Sequence, residues 1–247
     1  MELLGSLDQM KDFHTEPQYE QSCCEIRLLG EINNHSIFLL CDEIDLAIDY
    51  YQYKKIDIQI DSHGGSIASL DYYLSKLDRW RKKGIIIGTL GLTSVASAAA
   101  IILALGTVGY RRAYGSSMLL YHNTRIEREK WVATKDSLQF ESDALDRTDK
   151  RLIKRMIDHV DEGILSKHKI DSLSYLDFDY KEKKYLERTF FDLEGITRET
   201  LEKYYNILFS YDCFIAPTLA KGMLLIDHIQ EEFELDPHGE ATFKELI

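Results

Sequence analysis

The sequence predicts an α/β fold built on a largely parallel sheet. Short strand-like apolar segments alternate with segments of helical periodicity through the first half of the chain, the pattern of crossover units. A single long helix of narrow apolar stripe follows, of a kind that more often meets a partner helix than packs only on its own domain. A length of 247 residues suits one domain, or one domain with a sizeable insertion, and an apolar content of 45% with 29% charged residues is globular.

The elements follow in order. Glu25–Gly30 reads as a strand ending at glycine, and Asn34–Tyr50 as a helix with Ile37, Leu40, Ile44 and Ile48 on one face. Ile56–Ile60 alternates strictly, the mark of a strand, and runs into the turn Asp61-Ser62-His63-Gly64-Gly65-Ser66. The next helix carries Ile67, Leu70, Leu74 and Leu77 and ends before Gly84. Ile85–Ile87 is a buried strand, Gly91 opens a turn, and Ala96–Leu105 is a small-residue helix ending at Gly106. Ser117–Tyr121 is the next strand, with His122 at its end. From Lys130 to Val160 one helix is predicted. Leu138, Leu145 and Leu152 recur at heptad spacing amid charge, a stripe suited to a partner helix. Ser172–Leu193, rich in Tyr, Asp and Lys, reads as an insertion or mobile segment. Arg198–Phe209 is a second helix, and the tail after Ile229 is acidic.

Charge and composition exclude several classes. The net charge of -12 and pI near 5.1 repel phosphate backbones, so no nucleic-acid partner is expected. The longest apolar run, Val95–Leu105, is too short to span a bilayer, and the N-terminus lacks the layout of a secretory signal. Cys23, Cys24, Cys41 and Cys213 form neither a CxxC pair nor a metal cluster, so no metal is expected and a reducing cytoplasm fits best. The vicinal Cys23–Cys24 pair reads as two buried residues near a strand start rather than a redox site.

Three places can carry chemistry. Ser97 sits where a strand turns into a helix, so its hydroxyl projects from a sharp bend beside unpaired backbone N–H groups. The Gly64–Gly65 turn follows a strand and can expose a second N–H group. His122 ends a strand, where sites of parallel sheets lie, and an imidazole beside a serine hydroxyl accepts its proton. Taken singly, each has a plain structural explanation as a packed helix, a turn or a core histidine.

Together, these segments resemble the proteolytic subunit of the Clp protease. The matches, in order, are Ile56–Ser66 (IDIQIDSHGGS), Gly91–Ala100 (GLTSVASAAA), Gly106–Arg111 (GTVGYR), Tyr114–His122 (YGSSMLLYH) and Ser210–Asp227 (SYDCFIAPTLAKGMLLID), with Glu25–Tyr51 as first strand and helix. The resemblance implies a ClpP/crotonase-like fold of repeated β-β-α units with a projecting helical handle. It also implies a single domain: head 24–123 and 210–229, handle 124–162, insertion about 163–194 and acidic tail 230–247. It implies a serine endopeptidase with Ser97 as nucleophile, His122 as base and Asp212 as the orienting acid. Gly65 and Ala98 would form the oxyanion hole by their N–H groups. Thr124, Arg125 and Ile126 would begin the strand, through Lys130, that pairs with extended polypeptide substrate. Stacked homo-oligomeric rings, commonly of seven subunits, and an AAA+ unfoldase partner are implied as well. No cofactor is expected in the chain itself, which lacks a G-x-x-x-x-G-K-[ST] loop, so ATP would act only through that partner.

The sequence departs from the family pattern in three places. His63 replaces a proline, Asn123–Arg128 replaces glycines after the histidine, and about 163–194 has no counterpart. Asp171, Asp177 and Asp179 compete with Asp212 for the acid role. Three other functions remain open: a non-catalytic ring subunit, an enzyme of the same fold holding an acyl-CoA oxyanion, and a peptidase that works without an unfoldase.

Overall fold

The computed structural model describes residues 23–126, 134–160, 170–179, 184–193 and 197–231. Its elements are β1 (Cys24–Ile32), α1 (Asn34–Asp49), β2 (Lys55–Gly65), α2 (Ile67–Lys82), β3 (Ile86–Ala96), α3 (Ala98–Ala104), β4 (Arg111–Tyr114) and β5 (Met118–Tyr121). After these come α4 (Lys135–Asp158), β6 (Ile170–Asp179), β7 (Lys184–Leu193), α5 (Arg198–Leu208), β8 (Cys213–Ile215), α6 (Pro217–Gly222) and β9 (His228–Gln230).

The described strands form one sheet in the order β1-β2-β3-β5-β8-β6-β7, with β4 against β3 and β9 against β4. The pairs β1–β2, β2–β3, β3–β4, β3–β5 and β4–β9 are parallel. The alternating strands and helices make this an α/β fold consistent with the ClpP/crotonase type. Successive side chains of a strand point to opposite faces, so residues two apart share one face of the sheet. On the face turned to the helices Ile26, Leu28, Ile56, Ile58, Ile60 and Ile87 are all buried, whereas Glu25, Arg27 and Leu29 on the other face of β1 are exposed.

The helices start where the sequence supplies caps. Ser36 N–H donates to Asn33 Oδ1 and Asn33 N–H to Ser36 Oγ, both at 3.0 Å, closing a capping box on α1. Ser66 caps α2, and Thr134 with Ser137 caps α4 in the same reciprocal way. The C-terminal half of α4 buries Leu152, Ile153, Met156 and Ile157, while Leu138 and Phe140 in its first half stay exposed. It is fastened to α2 by Arg151–Asp71 at 2.9 Å and Arg155–Asp78 at 2.5 Å. Just past its end, His159 Nε2 meets the Gly106 carbonyl at 2.5 Å beside Arg81. Burial and the Arg81 charge pull this imidazole down to about 4, so it is neutral near pH 7.

Several expectations change. The strand predicted at 85–87 does not stop at Gly91. It continues to Ala96, because its first half pairs with β4 and its second half with β5. Likewise β2 runs through the predicted turn to Gly65, paired with β1. Strict alternation assigns Asp57 to an exposed face, yet it is 6% exposed. Arg112 at 3.0 Å offsets its charge, and Gly88 leaves it room, since a Cβ there would lie 1.8 Å from Asp57 Oδ1. Cys23 and Cys24 are only half-buried, and Cys23 Sγ approaches Asp57 Oδ2 at 3.2 Å. Burial and that carboxylate push the Cys23 thiol up to about 12, which makes it a poor nucleophile.

The largest change concerns the segment read as an insertion or mobile stretch. Residues 170–193 contain an antiparallel pair, β6–β7, and β6 continues the sheet by pairing with β8. The helix predicted from Lys130 is described from Lys135, and 127–133 lies outside the described residues, as does most of the acidic tail. No helix among the described residues is long and apolar enough to cross a membrane.

Candidate active site

The sheet geometry brings three chain segments to one cleft. β3 ends at Ala96 and α3 begins at Ala98, so the whole turn is made by Ser97, with φ 56° and ψ −126°. That backbone costs a non-glycine residue about 1–3 kcal/mol and persists only where its surroundings enforce it. Two neighbours do so. Ser97 N–H donates to the Leu120 carbonyl at 2.8 Å, fixing the turn to β5, and Ile101 N–H donates to the Ser97 carbonyl at 3.2 Å, starting α3. A sharp strand-to-helix bend of this kind presents a serine hydroxyl to solvent.

The second segment is the end of β2. Gly64 and Gly65 have φ +89° and +146°, accessible to glycine and rarely to other residues. Gly64 lies directly against the serine turn: a Cβ there would come 2.6 Å from Ala96 O and from Ser97 Cβ. Its N–H donates to the buried Ser62 hydroxyl at 3.1 Å. His63, predicted to be structural, contacts Ser94 Oγ on β3 through Nδ1 at 3.4 Å.

The third segment follows β5. His122 Nδ1 lies 2.6 Å from the Asn123 carbonyl. A carbonyl can only accept, so Nδ1 carries the proton and Nε2 is the basic nitrogen. Thr124 donates by its N–H, at 2.9 Å, and by its hydroxyl, at 2.6 Å, to Asp149 on α4. The Arg125 guanidinium donates to the Asp212 carboxylate. Residues 122–126 pair with no described strand, and the rest of the predicted substrate-pairing segment lies outside the described residues.

Together these segments enclose a cleft of about 520 Å³, with Gly65, Ser97, His122, Thr124 and Arg125 in its lining beside the apolar Ile67, Ile101 and Phe209. Of the other predicted site residues, Ala98 is fully buried behind Ser97, where its backbone N–H starts α3. Ile126 is half-buried. Asp212 is half-buried and directly precedes β8. The antiparallel register pairs Tyr121 with Cys213, so one further step along both chains sets His122 opposite Asp212. Asp177 on β6 pairs with Cys213 on the other side.

Sequence reasoning does not single out Asp149 or the Arg125–Asp212 pair. A signal for the first exists. Asp149 falls in step with Leu152, Ile153 and Met156 on the inward stripe of α4, where an apolar residue is expected. Burial pushes its carboxyl up, against the pull of the two Thr124 hydrogen bonds. The Arg125–Asp212 pair joins distant segments and leaves no local trace.

A family model described as Clp protease matches residues 21–175. The match takes in β1 through α4 and the first part of β6, with Ser97 and His122 inside it and Asp212 beyond its end. No curated protein matches the chain.

Proposed function

The chain belongs to the Clp protease family, and from that premise we propose that it is a serine endopeptidase acting on polypeptides. The observation that carries the reading is the strained Ser97 backbone at the mouth of α3, in the same cleft as His122. In the proposed reaction Ser97 Oγ attacks a peptide carbonyl as His122 Nε2 takes its proton. The N–H groups of Gly65 and Ala98 receive the oxyanion, and His122 then protonates the leaving amine. Water, activated by the same imidazole, releases the acyl-enzyme. Asp212 is the acid that steadies the imidazolium, in keeping with the extended β5–β8 register. The carboxylate that serves this role also accepts from the Arg125 guanidinium.

The apolar half of the lining, Ile67, Ile101 and Phe209, suits an apolar side chain of the substrate. The projecting first half of α4, with Leu138 and Phe140 exposed, suits contact with a second copy. We therefore propose a homo-oligomer of stacked rings, heptameric as the resemblance implies, with an AAA+ unfoldase supplying ATP-driven feeding. No cofactor is proposed for the chain itself.

The Arg125–Asp212 ion pair, which engages the same carboxylate with a guanidinium, favours a second reading, a non-catalytic ring subunit that serves assembly or regulation. Labelling of the assembled protein by a fluorophosphonate separates the two. The peptidase reading expects stoichiometric labelling that is lost in Ser97→Ala and falls by roughly three orders of magnitude or more in rate in His122→Ala. Unlabelled wild-type protein would sink it in favour of the structural subunit.

A further inference from the structure

We infer that Asp149 is a positioning residue that orients His122 through the peptide group between Asn123 and Thr124, an inference that rests on the peptidase reading above. The carbonyl of that peptide accepts from His122 Nδ1 at 2.6 Å, and its N–H donates to Asp149 Oδ1 at 2.9 Å. One rigid amide plane thus joins the carboxylate to the imidazole. A carboxylate accepting the N–H polarises the amide and strengthens its carbonyl as an acceptor, since hydrogen bonds in series reinforce one another. Asp149 therefore does through a peptide what an orienting acid does directly: it holds the Nδ1–H tautomer and leaves Nε2 toward the cleft that Ser97 shares.

Two further observations agree. Residues 122–126 lack strand pairing, and beside the Arg125–Asp212 ion pair the grip of Asp149 ties this segment to α4, the Thr124 hydroxyl doubling it with a 2.6 Å bond to the same oxygen. Asp149 also lies close enough to His122 for the two to interact electrostatically. A carboxylate on the inward stripe of α4, beside Leu152 and Ile153, forgoes apolar burial, and the amide it holds accounts for its place there. The consequence is that the position of α4 along its axis sets the orientation of the base.

The test compares fluorophosphonate labelling rates of assembled wild-type protein, Asp149→Ala, Asp149→Asn and a control, Asp146→Ala, at an exposed site on the same helix. Hydrogen exchange of the peptide spanning 121–126 is measured alongside. Asp149→Ala is expected to label at least tenfold more slowly and to exchange faster over 121–126. Asp149→Asn keeps an oxygen acceptor for the Thr124 N–H and should recover most of that loss, while Asp146→Ala labels like wild type. Labelling or exchange in Asp149→Ala equal to wild type overturns the inference. So does an equal loss in all three variants with a lowered melting temperature, which marks general damage to α4. Unlabelled wild-type protein instead overturns the peptidase reading, and the role of Asp149 falls with it.

Discussion

Replacing Gly64 with alanine should lower kcat/KM on a fluorogenic peptide by about a hundredfold to a thousandfold, the scale of losing one oxyanion donor. The added Cβ would stand 2.6 Å from both Ala96 O and Ser97 Cβ and 3.0 Å from Ala98 N. Two of these three atoms are backbone in the serine turn, so no side chain can swing away to relieve the overlap. The alanine must also adopt φ +89°, at a cost of about 1–3 kcal/mol. The turn and the end of β2 must part, which misplaces Gly65 N–H relative to Ser97 Oγ. Labelling rate and peptide turnover should fall together, with the protein still folded by circular dichroism. A Gly64→Ala protein that labels at the wild-type rate would show that contact between these two turns does not matter to the chemistry.

The second large effect is on stability. Arg111 is 2% exposed and donates to Asp227 through Nη2 at 2.7 Å and Nε at 3.0 Å, while its Nη1 donates to the carbonyls of Ala104 and Leu224. Asp227 Oδ2 also accepts the N–H groups of Gly109, at 2.7 Å, and Arg111, at 3.0 Å. Asp227→Ala leaves a buried guanidinium without its counter-charge and two amides without acceptors, at a cost of about 3–5 kcal/mol. For a chain of this size, that lowers the melting temperature by about 10 °C. Burial opposes the charge on Asp227, but the Arg111 and Gly109 hydrogen bonds outweigh it and hold the carboxyl below its usual range. The folded state therefore holds the proton less tightly than the unfolded chain. The stabilisation is complete above the unfolded pKa, near 4, and is lost as pH falls through the lower folded value. Asp227→Asn should melt earlier at pH 7 and show a flatter decline in acid. A melting temperature for Asp227→Ala within 2 °C of wild type would refute this account.

How much was legible in the sequence follows from how far apart the interacting residues lie. Strands and helices up to His122 could be read from periodicity and caps, because each is decided by neighbours a few residues away. Ser97 and His122 were identifiable as candidates for the same reason, and they do share a cleft. The run of β3 through Gly91 was not, since it depends on β4 and β5 both pairing with it. Nor was the burial of Asp57, which rests on Arg112 from another strand. The β6–β7 pair was hidden by its Tyr, Asp and Lys content, and its place in the sheet depends on β8. The partners of Arg125 and Thr124 come from β8's flank and from α4, so no local pattern announces Asp212 or Asp149 as theirs.

The pairing of β5 with β8 has a consequence during synthesis. The serine turn is assembled from β2, β3 and β5, all of which emerge before residue 122, whereas Asp212 and β8 follow only after the whole of α4, the β6–β7 pair and α5. Closing so long an excursion is the slow, entropically costly step, and chains are made from the N-terminus onward. A growing chain thus carries the Ser97 turn for about a third of its synthesis before Asp212, the proposed acid, is made. Ribosome-held chains ending at residue 209 should resist fluorophosphonate labelling, and full-length released chains should accept it. Labelling of the shorter chains would mean that Ser97 is already reactive while the chain is still among its neighbours on the ribosome.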